Sequence, residues 1–245
     1  MKVSIITATY NSEKTIQDTV LSVSRQDYVD IEHIIVDGES SDKTLAIINN
    51  CNVKDLKIIS EPDEGIYDAF NKGIKNSTGD IIGFLHSDDI FFDDTCITRL
   101  VDALKTNNCD AVYGNLEYVS KENINNVIRF WKSKKYNMQS FNKGWMPPHP
   151  TFFVRKKIYE DFGCFDTTYK ISGDYEIIVR FLLKYKISAT YLNYVITKMR
   201  IGGTSNSLIN IKLKLKEDMR VMRKFKINRF FGLMGKNISK INQFF

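Results

Sequence analysis

The chain has 245 residues, 43% of them hydrophobic, and a formal net charge of +6 at pH 7. That composition suits a globular protein with one sizeable core and excludes a disordered or collagen-like chain. No apolar run approaches the roughly 18 to 20 residues that span a bilayer, and the four cysteines (51, 96, 109, 164) show neither CxxC pairing nor zinc-like spacing with the three histidines.

The N-terminal MKVSIITATYN lacks the apolar region and small-residue cleavage site of a signal peptide, so a cytoplasmic location with reduced thiols is expected. In chain order, VSIITAT (3–9) is a β-branched strand. Asn11 or Ser12 can cap a helix whose apolar positions Ile16, Val20 and Val23 follow. HIIVD (33–37) is a second strand, and Ser41 or Asp42 starts a helix through TLAIINN. LKIIS (56–60) is a third strand. Ile66, Ala69, Phe70, Gly73 and Ile74 mark the inner face of the next helix. DIIGFL (80–85) is a fourth strand, 93–105 a helix with Ile97, Leu100, Val101 and Leu104 inward, and AVYGN (111–115) a fifth strand. Residues 116–150 mix short strand-like runs with turns. Ile178, Phe181, Leu182 and Tyr185 make a helix of 173–185, and 190–201 reads as one or two strands.

Apolar strands separated by single helices predict a doubly wound α/β domain, a parallel sheet covered on both faces. Ligands of such sheets bind beyond the carboxyl ends of the strands. There the sequence places Ala8-Thr9-Tyr10-Asn11, Asp37-Gly38, Glu61-Pro62-Asp63 and His86-Ser87-Asp88-Asp89. The adjacent Asp88 and Asp89 read as a turn or helix cap, as an acid/base pair, or as hard oxygen ligands for a divalent cation. Their place among three other polar clusters on one edge favours the cation.

Seven segments occur in an order that resembles the family-2 glycosyltransferases: SIITATYN (4–11), IIVDGESSDKT (34–44), SEPDEGIYDAFNKGI (60–74), STGDIIGFLHSDD (77–89), PHPTFFVRK (148–156), SGDYEIIVRF (172–181) and RIGGTSN (200–206). The resemblance covers roughly 1–205. It implies the GT-A fold, a Rossmann-like and mostly parallel central sheet flanked by helices. It divides the chain into a nucleotide-sugar-binding half (1–115), an acceptor-binding and catalytic half (116–207) and a basic tail (208–245).

By the same resemblance the donor is a UDP- or GDP-sugar. Thr9, Tyr10 and Asn11 hold base and ribose, and Asp37 accepts from the base. Asp63 and Gly65 approach the nucleotide. Asn71 and Lys72 lie on the following helix, where Lys72 either faces a phosphate or pairs with Asp68 at i,i+4. Asp89 ligates Mn2+ or Mg2+, with Asp88 on metal or ribose. The position two before Asp88 is often acidic in the family, and here it is His86. Asp174 matches the catalytic base, and the often acidic position before it is Gly173. Glu176 points to another side of the helix and is a poorer base, and Arg180 is expected to anchor that helix. His149 sits near acceptor or diphosphate, with Trp145 and Met146 as a sugar platform or as packing. Arg200 reaches the diphosphate when the loop at Gly202-Gly203 closes. His33 is expected to be a packed residue.

Residues 208–245 hold ten Lys or Arg against two acids. Ile211, Leu215, Met219, Met222 and Phe225 form a helical stripe, with Phe230, Phe231, Leu233 and Met234 beyond it. A basic amphipathic helix suits the cytoplasmic face of the inner membrane, though packing on the domain or oligomerisation fits the same pattern. No nucleic-acid module is in view. The expected activity is inverting, metal-dependent transfer of one sugar to a glycan or polyprenyl-diphosphate-linked acceptor in surface polysaccharide synthesis. The alternatives are a degenerate scaffold subunit and a sugar nucleotidyltransferase, whose Gly-rich loop is missing after the first strand. Absence of GxGxxG there disfavours a dinucleotide oxidoreductase.

Overall fold

A computed structural model describes residues 1–202 and 208–228. The predicted alternation is present: β1 (Val3–Thr9), α1 (Ile16–Ser24), β2 (Ile31–Asp37), α2 (Thr44–Asn50), β3 (Leu56–Ser60), α3 (Ile66–Asn76) and β4 (Ile81–Phe84). A two-residue β5 (Ile90–Phe91) precedes α4 (Cys96–Asn107) and the long β6 (Ala111–Val119). Then come β7 (Val127–Trp131), α5 (Met138–Asn142), β8 (Phe153–Arg155), α6 (Lys156–Phe162), α7 (Gly173–Val179), β9 (Ala189–Arg200) and α8 (Leu208–Lys224).

These strands form one sheet in the order β3-β2-β1-β4-β8-β6-β9-β5, with β7 also pairing with β6. The first four are mutually parallel. β8 runs antiparallel to both β4 and β6, while β6 and β9 are parallel. β1, β2 and β4 are buried along almost their whole length because both sheet faces are covered. Ile6, Ile34, Val36 and Ile82 point into one core with Phe70, Phe181 and Val221. Ile5 and Ile81 point into the opposite core with Ile97 and Leu100, and Ile35 packs under α1 and α2. The period of two along each strand produces this split.

Several local expectations are corrected. α1 begins at Ile16, because Ser12 uses its carbonyl, not its hydroxyl, to close the turn onto Thr15 and Ile16. Asn11 is in the left-handed region (φ 49) and accepts the Ser41 N–H instead. On α3 the first inward residue is Tyr67, and Ile66 is exposed. The helix expected over 173–185 is α7 followed by a π-helical turn, Arg180–Lys184. Residues 190–201 form a single strand, β9, up to Arg200.

The tail stripe is also divided. Met222 is buried with Val221, while Ile211, Leu215 and Met219 are 44%, 41% and 39% exposed. The helix is turned so that Glu217 meets the backbone at 170–172 and Lys224 meets Glu176 at 2.9 Å. Burial of Val221 and Met222, at about 1.5–3 kcal/mol each, holds the helix on the domain. Phe230, Phe231, Leu233 and Met234 lie outside the described residues, as does Gly203.

Candidate active site

Register brings the predicted polar clusters to one edge. Thr9 pairs with Asp37, and Asp37 with Ser60. Gly38 N–H bonds the Thr9 carbonyl at 3.0 Å, and Leu85 N–H bonds that of Ile6 at 3.1 Å. The Asp37 carboxylate is fully buried and accepts from the Ser40 N–H and from the Ser40 and Ser60 hydroxyls. Three of about four acceptor positions are thereby used within the protein, leaving one. A Cβ on Gly38 would lie 2.6 Å from an Asp63 oxygen and 3.6 Å from the Tyr10 ring, so the missing side chain lets Asp63, Tyr10 and Asp37-Gly38 converge. The other Asp63 oxygen accepts the Gly65 N–H at 2.8 Å. Gly65 (φ 120) starts α3 there in a backbone conformation suited to glycine. Tyr10 is 63% exposed, and the buried Thr9 Oγ1 has no partner among the described residues.

At the end of β4 the two aspartates differ. Asp88 is half-buried and Asp89 fully buried. Asp89 Oδ1 accepts the Arg200 N–H at 3.3 Å, and its Oδ2, buried, has no partner among the described residues. Burial, then the neighbouring Asp88 charge, pushes the Asp89 carboxyl well above the usual range, and Arg200 opposes them. An orphaned, buried carboxylate oxygen is the environment a hard cation relieves. The described residues gather no group of three or more His, Cys, Asp and Glu around one point. A cation here would therefore take its remaining oxygens from a diphosphate, as Mg2+ and Mn2+ do.

Arg200 lies at the end of the strand that the sequence suggests over 190–201. It ends β9 as a buried residue, with Nη1 on the Asp88 carbonyl at 2.6 Å and Nη2 on Asp18 of α1. It braces the Asp88-Asp89 turn from below and is not carried on the following loop. Lys72 bonds the Pro62 carbonyl and pairs with Glu61 (3.1 Å) and Asp68 (3.4 Å), the i,i+4 partner. Asn71 is committed at both ends to the backbone of Phe165, a structural tie. His33 packs in the sheet, its Nε2 2.9 Å from Thr7 Oγ1. Trp145 joins Tyr113, Tyr136 and Phe141 in an aromatic cluster, which favours packing over a sugar platform. Arg180 anchors α7 as expected, bonding the carbonyls of Phe162, Gly163 and Cys164 and the carboxylate of Glu176.

Asp174 stands half-buried in the first turn of α7. Its Oδ1 accepts the Tyr175 N–H at 2.8 Å, with the Tyr67 hydroxyl at 3.5 Å, while no bond within the described residues falls on Oδ2. His86 feels the charge of both this carboxylate and Asp88. Burial lowers its pKa, and Asp88 and Asp174 both pull it back. His149 lies 6.2 Å from His86 between ring centroids and stacks on Phe84 at 5.3 Å. Burial lowers His149 to about 4. The position two before Asp88 thus holds an imidazole whose pKa burial lowers against the pull of two carboxylates.

Three residues the sequence reading passed over complete this wall. Tyr118, Arg129 and Trp131 share one face of the β6–β7 hairpin. The Arg129 guanidinium lies 3.7 Å from the Tyr118 centroid, and Tyr118 and Trp131 are parallel within 4°. Burial raises the Tyr118 hydroxyl, Arg129 opposes, and the charges of Asp89 and Asp174 add to the rise. Tyr67 was also missed. An aromatic on an amphipathic helix reads as core, and only the fold brings it to Asp174.

Residues 4–163 match the family model described as Glycosyl transferase family 2. An uncharacterized glycosyltransferase of Mycobacterium tuberculosis, Rv1514c, is 33% identical over 183 residues, 73% of this chain and 68% of that protein. The Escherichia coli UDP-Glc:alpha-D-GlcNAc-diphosphoundecaprenol beta-1,3-glucosyltransferase WfgD is 29% identical over 224 residues, 91% of this chain and 86% of that protein. Among solved structures, Staphylococcus aureus TarS 1–349 superposes with a TM-score of 0.69 at 20% identity, a likeness of fold. That match covers 93% of this chain and 65% of the TarS fragment.

Proposed function

This chain belongs to glycosyl transferase family 2, and on that premise we propose that it moves one sugar, with inversion, from a nucleotide-sugar to a glycan or polyprenyl-diphosphate-linked acceptor in surface polysaccharide synthesis. The observation that carries the reading is the pair of carboxylate oxygens without a partner among the described residues, the buried Asp89 Oδ2 and Asp174 Oδ2. One suits a cation at a leaving diphosphate. The other suits removal of a proton from an attacking hydroxyl.

The donor is a UDP- or GDP-sugar. Thr9, Tyr10 and Asn11 line the nucleoside end, where Asp63 and the remaining acceptor position of Asp37 take base and ribose hydrogens. Asp89 with Asp88 would hold Mn2+ or Mg2+, whose chemistry is Lewis-acid stabilisation of the departing nucleoside diphosphate. Arg200 keeps the Asp88-Asp89 turn in register with β9 and lowers the cost of the Asp89 charge. Asp174 Oδ1 is tied, so Oδ2 is the atom aimed at the acceptor hydroxyl. Glu176 is fully buried against Arg180 and Lys224, which leaves Asp174 as the carboxylate of α7 available for a single displacement with inversion. His149, whose pKa burial lowers to about 4, and His86 beside it exclude water around the transferring sugar. The Tyr118-Arg129-Trp131 face suits an acceptor sugar ring, with the guanidinium placed for a diphosphate. WfgD's name describes an acceptor of that chemistry.

Peripheral membrane contact through α8 completes the reading. Its outer face combines Ile211, Leu215 and Met219 with exposed Lys212, Lys216, Arg220 and Arg223. No helix among the described residues is long and apolar enough to cross a membrane.

The test is transfer from UDP-glucose, UDP-GlcNAc and GDP-mannose with Mn2+ to a short-chain polyprenyl-diphosphate GlcNAc. The expected result is one added sugar of inverted anomeric configuration, abolished by EDTA and by Asp89→Ala, and lowered about 10²- to 10⁴-fold by Asp174→Asn. Transfer that survives both substitutions overturns the reading.

A further inference from the structure

Glu217 lies on α8, beyond the segment that the family model matches and 45 residues after Ser172. Its side chain is 6% exposed. Oε1 accepts the Lys170 N–H at 2.8 Å, and Oε2 accepts those of Ile171 and Ser172, both at 2.9 Å. We propose that Glu217 is a positioning residue for Asp174: its buried carboxylate fixes the backbone leading into α7 and so fixes where the base stands.

The proposal rests on Asp174 being the base and adds what holds it there. The peptide before α7 has no cap of its own, since the Ser172 side chain makes no capping bond. Three backbone donors in a row would be left unsatisfied beneath α8. A carboxylate takes all three with charge-assisted bonds, and no neutral side chain offers as many acceptor positions. Ile171 is gripped from both sides: Glu217 takes its N–H, and the Tyr67 hydroxyl donates to its carbonyl at 2.6 Å. The same hydroxyl approaches Asp174 Oδ1, so the clamp ends on the base. Other α8 contacts concentrate on the same segment. Arg220 bonds Thr168 Oγ1 at 2.8 Å and lies over the Tyr169 ring, and Lys224 pairs with Glu176. Val221 and Met222 supply apolar docking of α8, whereas a buried acid adds desolvation cost that its three backbone bonds offset. The carboxylate that relatives often carry beside the base cannot stand on Gly173, and a distant helix supplies one to this segment instead.

The test compares full-length Glu217→Ala, Glu217→Gln and, as an exposed control, Lys216→Ala. Hydrogen exchange reads the anchor without any substrate. The amides of 170–172 should exchange at least tenfold faster in Glu217→Ala, with the β1 and β4 amides unchanged. In transfer assays with UDP-glucose or the donor found active, kcat should fall about 10- to 100-fold, the scale of a 1 Å misplacement. Donor KM and UDP binding should stay within about twofold. Glu217→Gln keeps one acceptor oxygen and should recover part of kcat, and it is read alone should the alanine variant not fold. Unchanged protection and kcat in a folded variant would overturn the proposal. So would losses of kcat and UDP binding in equal proportion, which mark general unfolding. Full turnover by Asp174→Asn removes the base reading, and the positioning role with it, while the exchange result stands by itself.

Discussion

The ring of Tyr67 occupies the space that a Cβ on Gly173 would need: its nearest atom lies 2.7 Å from that position. The ring is buried and tethered by its hydroxyl to Ile171, so it cannot swing aside cheaply. Gly173→Ala should destabilise the protein by about 1–3 kcal/mol, the usual cost of overpacking. Gly173→Glu, the family-like acid, should be worse. Tyr67→Phe keeps the ring and leaves the Ile171 carbonyl without its donor, at about 1–3 kcal/mol. Thermal unfolding of the three variants checks the order, and a neutral Gly173→Ala would contradict the packing account.

Arg200 opposes the rise of the buried Asp89 carboxyl. In Arg200→Gln the backbone bond to Asp89 remains, but the cation is gone and the proton is held more tightly. Proton and metal then compete harder for Asp89. The Mn2+ concentration for half-maximal transfer should rise about 10- to 100-fold, and more at pH 6 than at pH 8. Calorimetric Mn2+ titration in the presence of UDP at both pH values measures it. Equal affinity in both proteins would show that Arg200 only holds the turn.

Burial keeps His149 at about 4 and His33 at about 3, below the ordinary 6.5. The unfolded chain therefore binds protons first as pH falls. Their contribution to stability is complete above about pH 6.5 and is lost between there and about pH 4 for His149, or about pH 3 for His33. At 1.36 kcal/mol per unit, His149 alone accounts for on the order of 3 kcal/mol. Asp89 acts the other way, because its raised carboxyl is relieved as it protonates. Melting temperatures from pH 8 to 4 should fall, and less so in His149→Gln. A flat profile would count against burial as the cause.

Trp131 and Arg129 should separate acceptor from donor. Trp131→Ala removes an aromatic face worth about 0.5–1.5 kcal/mol beyond its area. Arg129→Ala removes a bidentate cation. Each should raise acceptor KM several-fold or more and leave UDP binding unchanged. If UDP binding weakens instead, the hairpin belongs to the donor side.

The strands and their common edge were legible because their signals are local: β-branched apolar runs, and Asp and Gly after each. Asp88 and Asp89 stood out for the same reason. The contacts that set their chemistry did not. Arg200 is 112 residues from Asp88, and the strand that carries it gives no sign of which turn it meets. Lys72 matched a motif, but two acids nearby, Glu61 and Asp68, claim it. The tail's apolar stripe is visible as a pattern, yet the helix buries Val221, Met222 and Glu217, the last a charged residue that periodicity assigns to solvent, and leaves Ile211, Leu215 and Met219 exposed. Trp145 and Trp131 could not be ranked from sequence, since packing and platform use the same residue type.

The seat of Glu217 also sets an order of assembly. The whole sheet, β1 to β9, precedes α8 in the chain, and the three amides of 170–172 stay without their acceptor until that helix has been made. At about 5–20 residues per second, 45 residues take roughly 2 to 9 seconds of synthesis. During that interval the nucleotide edge can already be formed, while the segment bearing Asp174 is not yet set. A nascent chain of this kind can bind its donor before it can spend it.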